Sequence, residues 1–337
     1  MIHVEDKSLV LPDGRTLAFA DNGNTSSSSI VLFFHGAFSV GDASRLPHAL
    51  LDRNVHFIAP TLPGWGRSSP TPAPDPAAGP ASYTATLAAD ITALITHIHP
   101  PTRHPHTPLK VYLCGHSFGT VLAQMLYGLA HDTFPLGRHI AALVLLAPHS
   151  PPHCHVGYAR CMTWPAYLMA GPPARYVPFN ALMHLARLLL TGCFSSEATA
   201  EAFMRRYVID AMDDDEREVF ALWREEQGLD EGQFEREIGR NAFRSVRRSW
   251  RGFLDIPAVY HSGWGNFCFA NIENTCPVLV VTAENDSVAP PEMARWLAST
   301  YKSARLKVIP RGSHTSAFFH LDDIWDEAFS IEVSSSD

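Results

Sequence analysis

Cysteine is sparse and scattered in this chain: six residues in 337, at positions 114, 154, 161, 193, 268 and 276, with no Cys-x-x-Cys pair. That spacing argues against both a zinc ribbon and a dithiol redox centre. Charge is thin as well. Only 18% of residues are Asp, Glu, Lys or Arg, the net charge is −8 and the sequence pI is about 6.1. This overall balance gives no reason to expect nucleic acid or an anionic membrane as a partner. Long apolar runs are missing too. The longest, such as residues 140–148, are too short to span a bilayer. The first residues show no basic segment followed by an apolar one, and Ser335-Ser336-Asp337 is not a peroxisomal address. The expectation is a cytoplasmic protein with reduced thiols. Its 46% hydrophobic content is that of a globular chain able to bury a large core, which excludes disorder throughout.

What is present is concentrated in a few short segments. Gly115-His116-Ser117-Phe118-Gly119 matches G-x-S-x-G, with strand character before it (109–114) and helical character after it (120–127). A sharp strand-to-helix turn strains the residue at its apex and leaves a serine hydroxyl proud of the sheet, at the positive end of a helix. Residues 277–282 form a continuous apolar run, as expected of a parallel strand buried on both faces, and lead to Glu284-Asn285-Asp286. Residues 305–310 read as a further strand, ending in Arg311-Gly312-Ser313-His314. Ser117, Asp286 and His314 thus follow one another in the order of a hydrolase triad. His35-Gly36-Ala37-Phe38 directly follows the strand 30–34, where an oxyanion-binding loop is needed.

These segments together resemble a serine-dependent member of the α/β-hydrolase superfamily carrying a helical cap. Thr61-Leu62-Pro63-Gly64-Trp65-Gly66-Arg67-Ser68 is similar to the family's D-x-P-G-x-G-x-S loop, with Thr61 where the family has Asp. Trp264-Gly265-Asn266-Phe267 is similar to the segment by which such chains return from cap to core. The resemblance implies an α/β fold: a mostly parallel eight-stranded sheet with helices on both faces. Residues 1–150 and 263–337 would form the core and residues 151–262 the cap. It also implies that the acid stands at Asp286. The other place where relatives keep it, after the sixth strand, holds Ala147-Pro148-His149-Ser150 and no carboxylate.

Along the chain, Pro12-Asp13-Gly14 marks an N-terminal hairpin. Residues 43–53 read as a helix and 55–60 as a strand. Residues 84–97 read as a helix with an inward stripe at Leu87, Ile91, Leu94 and Ile98, and 140–146 as a strand. Segments 69–80 and 100–108 are proline-bearing loops. Residues 151–262 are helix-rich without a convincing strand. One helix is expected from Ser196 to about Met212, a second from Asp213-Asp214-Asp215, and a third from Glu235 to Leu254. The arginines of that third helix (236, 240, 244, 247, 248 and 251) read as charge-paired, solvated residues. Eighteen histidines are present. His97, His99, His104, His106 and His116 lie near the elbow, and His149, His153 and His155 surround Cys154. The latter group reads as solvated, or as lining a pocket mouth, with no metal.

Chemically, His314 would take the proton of Ser117, Asp286 would orient the imidazole, and the N–H groups of Phe118 and of Ala37 or Phe38 would bind an oxyanion. No cofactor is required. The expected substrate is a small molecule, an apolar carboxylic ester or lactone of modest size, in a pocket roofed by Trp164, Tyr167, Met169 and Phe179. A tailoring hydrolase of secondary metabolism fits this pattern. The alternatives are a carbon–carbon bond or thioester hydrolase with the same triad, a non-catalytic receptor of the same fold, and an aminopeptidase holding an amine on Asp213-Asp214-Asp215.

Overall fold

The computed structural model describes residues 3–72, 82–103 and 107–335. Most of the proline-bearing segment 69–80, together with His104 and His106, lies outside the described residues. The strands are β1 (Lys7–Val10), β2 (Thr16–Gly23), β3 (Ser29–Phe34), β4 (His56–Pro60), β5 (Lys110–His116), β6 (Ile140–Leu146), β7 (Val278–Ala283) and β8 (Ala304–Ile309). They form one eight-stranded sheet in the order β1-β2-β4-β3-β5-β6-β7-β8. The pairs β1–β2 and β2–β4 are antiparallel, and every later pair is parallel. The hairpin joining β1 and β2 closes where Leu11 and Arg15 bond across Pro12-Asp13-Gly14. Beside the sheet lie α1 (His48–Asp52), α2 (Ser82–Ile98) and α3 (Gly119–Tyr127). Seven helices separate β6 from β7, and no strand occurs among them: α4 (Trp164–Ala170), α5 (Pro172–Tyr176), α6 (Ala181–Leu190), α7 (Glu197–Met204), α8 (Asp214–Glu226), α9 (Gln233–Arg247) and α10 (Arg251–Tyr260). The fold closes with α11 (Pro291–Thr300) and α12 (Leu321–Ser335). Among the described residues no helix is long and apolar enough to cross a membrane.

Two-sided burial explains the uniform apolar strands. In β7, Val278 and Val280 face the core shared with Leu87, Ile91, Val121 and Met293, while Leu279 and Val281 face the one containing Leu50, Ile324 and Phe329. Each such aliphatic side chain contributes about 1.5–3 kcal/mol on full burial. On α2 the stripe Leu87, Ile91 and Leu94 is buried, and Ile98 packs at its edge.

Three expected helices come out shorter; the one expected from Ser196 to about Met212 is α-helical only over Glu197–Met204 and continues as a π turn over Arg205–Ile209. The one expected over 43–53 forms only at His48–Asp52. Pro47 disfavours helical geometry in the residue before it, and the preceding segment is held extended by the Val4–Asp42 bridge and by Ala43 N–H bonding His3. The helix expected over 235–254 breaks between Arg247 and Arg251. There the chain docks on the loop carrying Gly64: Gly252 N–H donates to the Gly64 carbonyl (3.0 Å), and Gly66 N–H to that of Ser245 (2.8 Å). The loop 61–68 is therefore where the insertion is fastened to the sheet.

Thr61, which stands where a carboxylate was expected, is served by one from elsewhere. Its hydroxyl oxygen accepts from Gly41 N–H (2.9 Å), and its own proton goes to Glu5. Glu5, 3% exposed, also accepts from the N–H of Arg67 (2.8 Å). Burial raises the Glu5 carboxyl above its ordinary range, against the pull of these donors and of Arg67 and Arg244. Removing the acceptor strands two donors, so Glu5→Ala should cost about 1–3 kcal/mol in urea unfolding. Thr61→Asp added to that variant should recover most of it; an unchanged midpoint in the single variant would deny the carboxylate this role.

Candidate active site

Ser117 sits between β5 and α3 with φ 53°, a left-handed conformation unusual for a side chain bearing Cβ. Its N–H bonds the carbonyl of Leu146 (2.9 Å), tying the turn to β6, and Thr120 Oγ1 donates to its carbonyl (2.6 Å). The crossing is tight. A Cβ on Gly115 would lie 2.6 Å from the Gly119 carbonyl carbon, and one on Gly119 would overlap the Phe34 carbonyl. Glycine at both positions is what lets helix and strand pass.

Asp286 follows β7 and is buried, whereas Glu284 is exposed and accepts from Arg311 N–H (3.0 Å). The Asp286 carboxylate accepts from His314 Nδ1 at 2.8 and 3.0 Å, and from the N–H groups of Val288 and Ala289 at 2.8 Å each. Burial alone would raise this carboxyl; the adjacent His314 and the four hydrogen bonds outweigh it and hold it below its ordinary range. With its proton on Nδ1, His314 keeps Nε2 as the free nitrogen. Ser117 and His314 line the same cavity, of about 1310 Å³.

The loop after β3 is braced from beneath. His35 donates through Nδ1 to the Gly36 carbonyl (2.7 Å) and accepts at Nε2 from Leu62 N–H (3.0 Å). Complete burial pushes His35 down to about 4. Phe38 has φ 54°, and its ring stacks on Phe194 (4.7 Å) and lies near Phe253 (5.2 Å) and Trp65 (5.9 Å). An aromatic cluster drawn from both the sheet side and the insertion thus holds the second left-handed residue of the site. Ala37, Phe38 and Phe118 all line the cavity.

The expected pocket residues separate. Met169 lines the cavity, as do Met162 and Ala166. Trp164 and Phe179 do not: they are 76% and 94% exposed, and Tyr167 packs edge-on to Trp164 (5.8 Å), also away from the lining. On a short amphipathic helix, positions three and four apart share a face, so Pro165, Ala166, Met169 and Ala170 of α4 turn inward and Trp164 outward, while Met162 reaches the lining from the turn before the helix. The apolar roof comes instead from Leu190, Phe203, Phe253 and Ile256. Phe253 and Ile256 lie in and beyond the arginine-rich stretch, where charge masks the pattern.

A sequence model described as the alpha/beta hydrolase family matches residues 31–327. The chain belongs to that family. Among solved structures it is similar to carboxylesterases of Nitrososphaera gargenis (14% identity, 98% of this chain and 100% of that one, TM-score 0.59). It is also similar to an esterase from Exiguobacterium antarcticum (15%, 97% and 98%, TM-score 0.54) and to an esterase from Rhodococcus sp. ECU1013 (17%, 97% and 98%, TM-score 0.52). A search of curated protein sequences gives no match.

In this hydrolase-family chain two features escaped the sequence. The first is Glu216, the third residue of α8. The pattern Asp213-x-x-Glu216 looks like a capping box, and Asp213 does accept from Glu216 N–H (2.9 Å). The Glu216 carboxylate, however, reaches out of the helix to Ser313 N–H (3.0 Å), Ser313 Oγ (2.8 Å) and Ser316 Oγ. Arg311 pairs with Asp213 and Asp215 in the same place. The acids at the head of α8 therefore grip the segment that carries His314. The second is the set of histidines. His116 and His149 line the cavity, and burial first, then the nearby His314, lowers them to about 3 and about 4. His155 stacks on Trp296 (4.4 Å) and His153 bonds the Phe267 carbonyl (3.0 Å). His99 pairs with His56 (2.7 Å) at the amino end of β4, far from Ser117 along the sheet.

Two outcomes follow from these contacts. Native His35, His116 and His149 resist a proton that the unfolded chain accepts near 6.5, so stability present above that pH is lost on acidification. Thermal midpoints measured downward from pH 7 should fall progressively between about 6.5 and 4, and His35→Asn, His116→Asn or His149→Asn should each flatten the slope. A slope unchanged in all three would refute the assignment. Separately, Glu216→Gln should speed amide exchange at Ser313 by about tenfold or more while leaving β5 and β7 protected. Equal acceleration everywhere would mean a global rather than a local role.

Proposed function

We propose that this chain is a serine hydrolase cleaving a carboxylic ester or lactone with a sizeable apolar part through an acyl-enzyme. The observation that carries the reading is the convergence of three groups on one cavity: a serine in a left-handed turn at the head of α3, a histidine whose Nδ1 is committed to a buried carboxylate, and the loop 35–38. Ser117 Oγ attacks the carbonyl carbon as its proton passes to His314 Nε2, and Asp286 stabilises the imidazolium. The oxyanion receives N–H donors from Phe118 and from Ala37 or Phe38, each worth roughly 10²–10³ in rate. Collapse expels the alcohol, which takes the proton from His314; water, deprotonated by the same imidazole, then releases the acid.

Residues 151–262 act as a cap over Ser117 that excludes water and sets substrate size. The mostly apolar roof of Met162, Met169, Leu190, Phe203, Phe253 and Ile256 favours apolar acyl or alcohol groups, and a volume of about 1310 Å³ exceeds the roughly 300–1,000 Å³ usual for small-molecule sites. The esterases of similar fold support the ester reading. The aminopeptidase alternative loses its anchor, because Asp213 and Asp215 are engaged by Arg311.

A fluorophosphonate should label Ser117, and Ser117→Ala should lose both labelling and turnover of p-nitrophenyl esters. Asp286→Asn should lower kcat by roughly 10³–10⁴, and Glu284→Gln by less than about threefold, since Glu284 faces solvent. Labelling without turnover on a broad ester panel would favour a receptor or another bond type. Labelling elsewhere with Ser117→Ala still active would end the proposal.

A further inference from the structure

The net charge of −8 hides a segregated segment. Residues 151–196 contain no Asp or Glu, although the chain holds 34, and they carry Arg160, Arg175 and Arg187. In the fold this stretch forms the outer part of the insertion, α4 to α6. All three arginines are exposed, and among the described residues none forms an ion pair. Arg175 lies against the ring of Tyr176 (5.5 Å).

The same stretch holds most of the large apolar side chains that the protein leaves in water. On α6, Met183, Ala186 and Leu190 turn inward, while Leu185, Leu188 and Leu189 form an outward stripe with i, i+3, i+4 spacing. Trp164, Tyr176 and Phe179 stand exposed on the neighbouring turns, and α4 packs beside α6. A concentration of exposed apolar side chains on neighbouring elements marks an interaction surface. Leucines and aromatics interleaved with arginine, and no acid, are the composition of a helix lying in a lipid headgroup layer.

We propose that the α4–α6 face docks on the surface of an anionic lipid bilayer, lying on it rather than spanning it. Charge decides the occupant. A second copy meeting face to face would bring like charges together across a two-fold interface, whereas anionic headgroups suit a stretch that has arginines and no acid, with Arg175 beside the exposed Tyr176 ring. The remainder of the protein, more acidic still than the whole, is repelled by such a surface, which fixes the orientation. Met162, Ala166 and Met169 of the same segment line the cavity, so docking sets its mouth beside the apolar phase. The docking surface stands on these observations independently of the reaction at Ser117.

The test is flotation with vesicles of phosphatidylcholine with and without phosphatidylglycerol, at low and high salt. The intact protein should float with the anionic vesicles, with Trp164 emission shifting to the blue, and release as salt rises. Arg175→Glu should reduce the bound fraction by at least about fivefold, the worth of one arginine at such a surface. Leu188→Asp with Leu189→Asp should do the same, with the far-ultraviolet circular dichroism of both variants unchanged. No flotation of the folded wild type overturns the proposal, as does flotation indifferent to both variants. A dimer in light scattering that the leucine variant dissolves would assign the face to a second copy and overturn it as well.

Discussion

The site depends on one backbone constraint. Ser117 is held in a left-handed conformation between a strand and a helix that touch through glycines. Everything else is arranged around that apex. β6 accepts its N–H, Thr120 caps its carbonyl, and a Cβ added at Gly36 would lie only 3.1 Å from the Ser117 Cβ. Relaxing the turn to an ordinary conformation would break the bonds that its N–H and its carbonyl make to Leu146 and Thr120. A strain of this sort, of order 1–3 kcal/mol, persists only when its surroundings over-determine it.

The core was legible because its signals are local. A two-residue Asp-Gly turn, continuous apolar strands and a helix with a regular stripe each announce themselves within about ten residues, and their order implied the sheet. That Ser117 and His314 border one cavity, with Asp286 bonded to His314, was foreshadowed because each lies in the turn after such a strand. The roof was not. Trp164 and Phe179 are what a pocket is expected to contain, but their side is set by the phase of a short helix and by a left-handed turn at Phe179. Side-chain type says nothing about either. Glu216 was hidden for a different reason: the same D-x-x-E spacing serves a helix cap, and only tertiary placement reveals that the carboxylate leaves its helix for Ser313 and Ser316.

Substitution at one place and compensation at another recur in this molecule. The carboxylate missing at position 61 arrives from Glu5, about 56 residues earlier and ahead of β1. The imidazole of His35, buried and neutral, does the work of a backbone turn by bonding both Gly36 and Leu62. Each is a polar group taken out of water and fully partnered, the condition under which burial specifies a conformation instead of weakening the fold.

The distribution of polar ties across the insertion is uneven. Its α8–α10 half is bolted to the sheet side by Glu216, by Arg311, by Arg45 with Glu237, by Asn241 with Asp42, and by the Gly64–Gly252 contact. The stretch carrying α4–α6 has fewer: Thr163 reaches the Ser287 carbonyl (3.3 Å) and His153 that of Phe267 (3.0 Å), while Asn180 (2.6 Å to the Leu254 carbonyl) and His261 (3.0 Å to the Ala170 carbonyl) tie it to α10. The insertion is therefore fastened mainly along one edge: opening α4–α6 breaks fewer polar contacts than opening α8–α10, whose contacts also hold the segment that carries His314.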